Sequence, residues 1–163
     1  MAGCAPLVEI QNNTPFAVRV AVTSGGSRQV VSPSAGSTSS AEVVPGPYSV
    51  SVVPDAEWMD YARTVRTIIG DYAFSAQNLT PDQVFELAKR LADINSRIDA
   101  YEKAGVGGNG CSGRTVGFDT SSIAADPIFV LEMLMSGETG DMVGEVVVNT
   151  AADGSMVAVC SMP

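Results

Sequence analysis

The chain has 163 residues, of which 45% are apolar, and this length and composition suit a single globular domain. Nine Lys and Arg residues stand against 18 Asp and Glu residues, and the formal net charge of -9 disfavours nucleic acid and anionic lipid headgroups as partners. The sequence contains no His, which excludes Ser-His-Asp catalysis, Cys-His catalysis and His-ligated metal hydrolysis within one chain.

The N-terminal residues Ala2-Gly3-Cys4 resemble the end of a bacterial lipobox, the motif that closes the signal peptide of an exported lipoprotein. The resemblance implies that a longer precursor is cut before Cys4 and that several acyl chains on Cys4 hold the protein on a membrane. No other attachment is expected, because no apolar run of about 18 residues occurs. The resemblance also implies the periplasmic or extracellular face of the bacterial cell envelope, and Ala5 in place of Asp favours the outer membrane. The alternative is an ordinary N-terminus that contains a thiol.

The three cysteines fit this interpretation, because an odd thiol in an exported protein needs its own explanation. Acylation of Cys4 leaves Cys111 and Cys160 as a pair, and their disulfide would close a loop of about 50 residues, worth roughly 4 kcal/mol in the chain-entropy model. In a reducing cytosol the same two residues would be buried thiols. No metal or cofactor is expected, since the chain has neither a C-x-x-C motif nor His ligands.

Residues 7–53 have the pattern of a run of short strands, in which apolar side chains alternate at a period of two. Turn sequences at Asn12-Asn13-Thr14-Pro15, Gly25-Gly26 and Pro45-Gly46-Pro47 separate the runs. The last turn leads into Tyr48, Val50 and Val52, an ending that resembles transthyretin-like and carboxypeptidase-regulatory β-sandwich modules. That resemblance implies an antiparallel β-sandwich module. The other alternating positions are Val8, Ile10, Phe16, Val18, Val20 and Val22, with weaker strands at residues 28–32 and 40–44.

From Asp55 the apolar period changes to about 3.6, which predicts an inserted helical hairpin over residues 54–105. The first helix is expected to end at Gly70. The second begins at Thr80, whose capping box is completed by Gln83. The apolar face of the first helix consists of Trp58, Tyr61, Ala62, Val65, Ile68 and Ile69, and that of the second of Val84, Leu87, Leu91, Ile94, Ile98 and Tyr101.

Residues 106–163 predict a mixed segment that packs with the β-module. A glycine-rich connection precedes a strand at residues 114–118, and Asp126-Pro127 is typical of a helix start. Residues 145–149 and 155–161 predict a hairpin, with Asp153-Gly154 supplying positive backbone angles. A tether over residues 1–6, the β-module, the helical insertion and this C-terminal segment together predict one α+β domain, in which the last strands complete the sheet.

One candidate ligand surface lies at the start of the first helix, where acidic residues stand beside aromatic ones. Carboxylates next to aromatic rings suit a glycosidase or a sugar-binding surface. The competing interpretation is that acidic residues in a first turn only complement the helix dipole. The residues concerned are Asp55, Glu57, Trp58, Asp60 and Tyr61.

Two further motifs have stronger structural explanations than functional ones. Residues 105–110 match G-x-G-x-x-G, but a helix precedes them where the dinucleotide fingerprint requires a strand, so a linker is favoured. Four Asp residues offer oxygen ligands for calcium without forming a D-x-D-x-D-G loop, so turn formation is favoured. These are Asp119, Asp126, Asp141 and Asp153.

The predicted C-terminal helix is a candidate partner surface, because only Glu132 is charged between residues 128 and 135. A helix that is apolar on nearly every side must be buried by its own domain or by another molecule. Two interpretations of this surface follow: contact with a protein partner, or self-association. The candidate contact residues are Ile128, Phe129, Leu131, Met133, Leu134 and Met135.

These features predict an exported, lipid-anchored envelope protein that acts as a non-catalytic binding or assembly module. One alternative is a carboxylate-dependent hydrolase acting on glycans, with Trp58 as the stacking platform. The other is a subunit of a homomeric surface filament or lattice, completed by a neighbouring copy.

Overall fold

The computed structural model describes residues 6–75, 78–105, 108–115, 124, 127–128, 131–132 and 143–161. Strands and two long helices in these ranges confirm the predicted α+β class. In chain order the elements are β1 Leu7–Asn12, β2 Val18–Ser24, β3 Ser27–Val31, β4 Thr38–Glu42, β5 Gly46–Pro54, α1 Ala56–Ser75, α2 Pro81–Ala104, β6 Asn109–Thr115, β7 Val143–Thr150 and β8 Met156–Ser161.

The strands form two four-stranded sheets, with the orders β4-β1-β7-β8 and β3-β2-β5-β6. The N-terminal strands divide between both sheets, and the strands that follow the helices complete each of them. Neighbouring strands are antiparallel except β1 and β7, which run parallel with Leu7 opposite Val143. The predicted C-terminal hairpin is confirmed with Thr150 opposite Met156, but only Gly154, and not Asp153, has a positive φ.

The core lies between the two sheets and consists mainly of β-branched side chains. Alternation at a period of two sends every second side chain of a strand inward, and valine and isoleucine suit a pleated, buried surface. Val8 and Ile10 of β1, Val20 of β2 and Val52 of β5 are fully buried. The predicted strand pattern is thus confirmed by burial.

The predicted turn after β1 is held by a buried polar side chain. Asn12 is fully buried; its Nδ2 donates to the carbonyl oxygens of Phe16 at 2.8 Å and Pro33 at 3.1 Å. Its Oδ1 accepts from the backbone N–H and the hydroxyl of Thr14, at 2.9 and 2.6 Å. Every donor and acceptor of this amide has a partner, so the burial of Asn12 is compensated.

Strand β6 begins earlier than the sequence predicts, because the glycine-rich residues that look like a linker are part of it. Gly110 pairs opposite Ser51, and a Cβ at Gly110 would lie 2.6 Å from the carbonyl oxygen of Val50. Glycine is therefore required by the close approach of β5. The remainder of the predicted strand, residues 116–118, lies outside the described residues.

The predicted bond between Cys111 and Cys160 is present and joins β6 to β8, the edge strands of the two sheets. The two Cα atoms are 5.6 Å apart. Two residues before Cys111, the Oδ1 of Asn109 accepts the backbone N–H of Ala158 at 3.1 Å. A covalent bond and a hydrogen bond thus close one side of the sandwich.

Both helices start at side-chain caps. Asp55 Oδ1 accepts the backbone N–H of Glu57 at 3.0 Å, and the capping box of Thr80 and Gln83 is confirmed. The predicted end of α1 at Gly70 is wrong, because α1 continues to Ser75. A helical glycine costs about 1 kcal/mol relative to alanine but does not stop a helix whose hydrogen bonds continue.

The helical hairpin formed by α1 and α2 stands at the end of the sandwich opposite to the start of β1. Asp55 N–H donates to the carbonyl oxygen of Ala17 at 3.0 Å, and Arg97 Nη1 donates to that of Pro15 at 3.1 Å. Pro6 lies at the other end, where its carbonyl oxygen accepts the N–H of Val43. The six residues of β1 separate these two ends by about 20 Å.

Candidate functional site

Among the described residues, the helical hairpin contacts the sandwich through its basal turns. Met59, Ala62 and Ile98 form a buried cluster there, with Ile94 packed against it. The outer faces of both sheets stay exposed, as Glu9, Arg19 and Ser49 show. The helices therefore project from the end of the sandwich and do not cover a sheet.

Three aromatic rings fix the base of the hairpin. The ring of Phe16 meets that of Tyr101 edge-on at 5.4 Å and that of Trp58 at 6.3 Å, while Trp58 stacks on Tyr101 at 5.9 Å. Such pairs contribute about 0.5–1.5 kcal/mol each beyond their buried area. The cluster joins the β1–β2 connection to both helices, so the direction of the hairpin is set by packed rings.

This cluster changes the interpretation of the predicted ligand surface. Trp58 stacks on Tyr101 and Asp55 caps α1, while Glu57, Asp60 and Tyr61 are exposed. Burial raises the pKa of Tyr101, and Asp55 and Asp60 raise it further, whereas Arg63 lowers it. The two carboxylates thus lie close enough to act on Tyr101.

A stripe of apolar side chains runs along the outside of α1. We define the α1 stripe as Tyr61, Val65, Ile68 and Tyr72, which are spaced by four, three and four residues. The exposed fractions of Tyr61, Ile68 and Tyr72 are 71%, 62% and 59%. This spacing places the four side chains on one helix face.

Two threonine hydroxyls of α1 are bound within the helix. The hydroxyl of Thr64 donates to the carbonyl oxygen of Asp60 at 2.8 Å, and that of Thr67 to the carbonyl oxygen of Arg63 at 3.0 Å. Both hydroxyls are satisfied by the helix itself. Arg63 is bound to Glu102 at 3.1 Å, so its charge is directed to α2 and away from the stripe.

The α2 helix differs from its sequence prediction in where it is buried. Its predicted stripe is buried at Ile98, but Val84 near the start of the helix is 51% exposed. Phe85, on another face, is 73% exposed. The outer half of the hairpin therefore presents apolar side chains to its surroundings.

A groove of about 860 Å³ lies between α2 and the turn that joins β7 to β8. Its α2 wall contains Ala92, Ser96 and Ala100, and the turn contributes Thr150 to Gly154. The carboxylate of Asp153 accepts from the N–H and hydroxyl of Ser155, and these hydrogen bonds lower the pKa of Asp153. None of the five predicted ligand-surface residues lines this groove.

The predicted C-terminal partner helix is described at four of its positions. Pro127, Ile128, Leu131 and Glu132 are helical and exposed, with exposed fractions of 70% for Ile128 and 56% for Leu131. The remaining predicted contacts, Phe129, Met133, Leu134 and Met135, lie outside the described residues, as does Cys4.

The described ranges contain no group of three His, Cys, Asp or Glu side chains that is placed to hold a metal ion. Asp119, Asp126 and Asp141, which the sequence offers as calcium ligands, lie outside the described ranges. Within the same ranges, no helix combines the length and apolarity needed to cross a bilayer.

Sequence reasoning missed the exposure of the α1 stripe, although the signal was present. The predicted face from Trp58 to Ile69 covers about a third of the helix circumference. The structure divides this face into a side that packs at the base, with Ala62, and an exposed side, with Tyr61 and Ile68.

Comparison of the chain with protein families, curated proteins and solved structures finds no match. Function must therefore be inferred from the geometry of the molecule itself.

Proposed function

We propose that this protein is an exported, lipid-anchored module of the bacterial cell envelope, which binds or assembles through its helical hairpin and catalyses no reaction. The observation that carries the proposal is the arrangement of the two ends. The chain enters the sandwich at Pro6, two residues after Cys4, and the hairpin leaves from the opposite end. A lipid on Cys4 would thus leave the hairpin on the side away from the membrane.

The disulfide supports the exported location. Disulfides persist in oxidising compartments and are rare in the bacterial cytosol. With Cys111 and Cys160 bonded to each other, Cys4 is left as the single remaining cysteine of the chain. This is the distribution expected if Cys4 is acylated.

The exposed hairpin supports a binding or assembly role over catalysis. Apolar side chains that stay exposed on one face of a helix are typical of an interaction surface. The carboxylate-dependent hydrolase gains no comparable support, because Trp58 stacks on Tyr101 and Asp55 caps a helix. We therefore do not propose a glycan-hydrolysing site at Asp55, Glu57 and Asp60.

The test is the mass of the protein isolated from the membranes of its own cells. We expect the N-terminal peptide to begin at Cys4 with a diacylglyceryl adduct, and Cys111 and Cys160 to resist alkylation until reduced. A Cys4→Ser variant should leave the membrane fraction, while Cys111→Ser should stay there. An unmodified Cys4, or three thiols open to alkylation without reduction, would contradict the proposal.

A further inference from the structure

We propose that copies of this chain stack head to tail, with the outer face of one sheet laid against the outer face of the other sheet in the next copy. We call the outer face of the sheet β4-β1-β7-β8 the acidic face, and that of the sheet β3-β2-β5-β6 the basic face. The contact follows from the charges on these two faces. It goes beyond the proposed role of the hairpin, and only its orientation on a membrane rests on the proposed function.

The charged residues of the eight described strands are divided between the two sheets by sign. Every acidic residue of these strands belongs to the first sheet and every basic residue to the second. Arg114 interacts within its own chain, so the proposal relies on the other two arginines. The residues are Glu9, Glu42 and Glu145 on β1, β4 and β7, and Arg19, Arg28 and Arg114 on β2, β3 and β6.

The charges on both faces are available to a partner. The strand neighbours of Glu9 and Arg19 are buried in the core, whereas Glu9 and Arg19 themselves are exposed on the outer faces. Arg28 and Glu42 are also exposed. Within the described ranges, none of these four side chains forms an ion pair. An oppositely charged surface could therefore approach either face without displacing an existing pair.

The acidic face brings two carboxylates side by side. Glu9 lies directly opposite Glu145 in the parallel pairing of β1 with β7, and neighbouring strands are about 4.8 Å apart. Like charges opposite each other on adjacent strands lower stability. A cationic surface laid against this face relieves that repulsion, so the acidic face favours a basic partner.

The chain itself supplies such a basic surface at a matching height. Gln29 Oε1 accepts the backbone N–H of Glu42 at 3.0 Å, so Glu42 and the neighbouring Arg28 lie at about the same height on adjoining edges of the two sheets. Arg28 pairs opposite the exposed Thr23, which places it on the basic face. A second copy that is displaced perpendicular to the sheets, without rotation, therefore brings its Arg28 opposite Glu42 of the first.

Both faces also contribute apolar contact. Val159 of the acidic face is 51% exposed, and Val30 of the basic face is 47% exposed. Exposed ion pairs add little affinity, whereas complementary charge determines which surfaces meet. The charges therefore specify the pairing of unlike faces, and the valines add apolar area to the contact.

A contact between two different faces is open-ended, because each added copy presents the same two faces again. Displacement without rotation also keeps every copy pointing the same way. The ends of the sandwich at Pro6 then all lie on one side of the stack. Acylation of Cys4 in one membrane requires this common direction, so the stack is compatible with the proposed anchor.

The first experiment measures sedimentation of the oxidised, unacylated full chain over a range of concentrations. We expect species larger than a dimer at about 0.1 M salt and an association constant at least about tenfold lower at about 1 M salt, where charges are screened within about 3 Å. Arg28→Glu should lower the association constant by about fivefold or more, and adding Glu42→Arg should restore it to within about twofold. The matched control is Lys89→Glu, which changes the net charge equally but lies on α2.

A chain that stays monomeric at all concentrations in low salt overturns the proposal. Association that stops at a dimer overturns the head-to-tail arrangement, because an open-ended contact continues. Equal weakening by Arg28→Glu and Lys89→Glu, or no recovery in the double variant, overturns the pairing of Arg28 with Glu42. Thermal unfolding of each variant checks that it folds, which the exposure of these side chains predicts.

The second experiment determines which faces meet, in a Cys4→Ser background. Sheets packed face to face lie about 10 Å apart, a distance that a short bismaleimide spans. A mixture of Glu42→Cys and Arg28→Cys should give a cross-linked dimer, and the chain carrying both substitutions should give a ladder of larger species. Dimers of Glu42→Cys alone would show that two acidic faces meet and would overturn the arrangement. Both experiments use unacylated protein, so their outcome is independent of whether Cys4 carries lipid.

Discussion

Tyr48 lies in a closely packed site between the two sheets. It is 3% exposed, and its hydroxyl makes no hydrogen bond with the described residues. Gly113 of β6 and Gly144 of β7 lie against its ring, where a Cβ at either position would collide with it. The ring thus fills the space between the two sheets, and glycine on both sides makes that space available.

The burial of Tyr48 predicts a loss of stability at alkaline pH. Burial raises the pKa of its hydroxyl above the ordinary value of 10.0, so above pH 10 the unfolded chain releases a proton that the folded chain retains. The contribution of Tyr48 to the free energy of unfolding is then fully present below pH 10 and decreases as the pH rises above it. Tyr48→Phe should reduce this fall in urea unfolding at pH 9 and pH 11. It should change stability at pH 7 by less than about 1 kcal/mol; a larger loss at pH 7 would mean that the hydroxyl has a partner.

Gly144 gives a second prediction at this scale. A Cβ at this position would lie 2.7 Å from the hydroxyl oxygen of Tyr48, so Gly144→Ala should lower the free energy of unfolding by about 1–3 kcal/mol. Tyr48→Phe removes that oxygen and should restore part of the loss in a double-mutant cycle. Gly70→Ala is the control, because it has open space and should stabilise α1 by up to about 1 kcal/mol. Equal effects of Gly144→Ala in both backgrounds would contradict this account.

At the scale of elements, the link between β6 and β8 decides whether the sandwich stays closed. β6 and β8 are edge strands of different sheets, joined by Cys111 and Cys160 and by the hydrogen bond from Ala158 to Asn109. An unpaired edge exposes backbone donors and acceptors. The disulfide and this hydrogen bond therefore stabilise the fold and protect the edge strands that they join.

Removal of the disulfide should be costly. The double variant Cys111→Ser with Cys160→Ser should lower the free energy of unfolding by about 2–5 kcal/mol, because the unfolded chain regains the freedom of a long loop. Denaturant unfolding measures the change, and Cys4→Ser serves as the control that should leave stability unchanged. A double variant as stable as the oxidised protein would show that the bond is structurally dispensable.

The elements that sequence predicts well are those with strong local signals. The alternation from Val18 to Val22, the capping box at Thr80 and the turn at Gly154 each follow from chemistry within a few residues. The sequence predicts a linker up to residue 113 where β6 lies, because Gly110 is explained only by its contact with Val50 in a distant strand. The parallel pairing of β1 with β7 joins residues far apart in the chain, which no local pattern specifies.

The candidate site was predicted less well than the fold. The chemistry of five residues predicts a ligand surface at the start of α1, yet capping and ring stacking account for Asp55 and Trp58. The exposed stripe depends on where α2 packs against α1. That is a tertiary property, so the sequence showed the apolar side chains but not which of them remain exposed.

At the scale of the whole molecule, the sandwich acts as a spacer between the start of β1 and the hairpin. Glu42 lies opposite Leu7, at the end where the chain enters, while Lys89 lies in the outer half of α2. β1 and the part of α2 from Ala104 to Lys89 together measure about 40 Å in length. The proposed anchor at Cys4 therefore predicts very different distances of these residues from a bilayer.

The most direct test of the central claim is energy transfer from labelled protein to acceptor lipids in vesicles. The acylated protein would carry a donor at Glu42→Cys or at Lys89→Cys, where a single free thiol is expected because the other cysteines are acylated or bonded. The account predicts strong transfer from position 42 and much weaker transfer from position 89. Equal transfer from both positions, or stronger transfer from position 89, would contradict an anchored module that holds its hairpin away from the membrane.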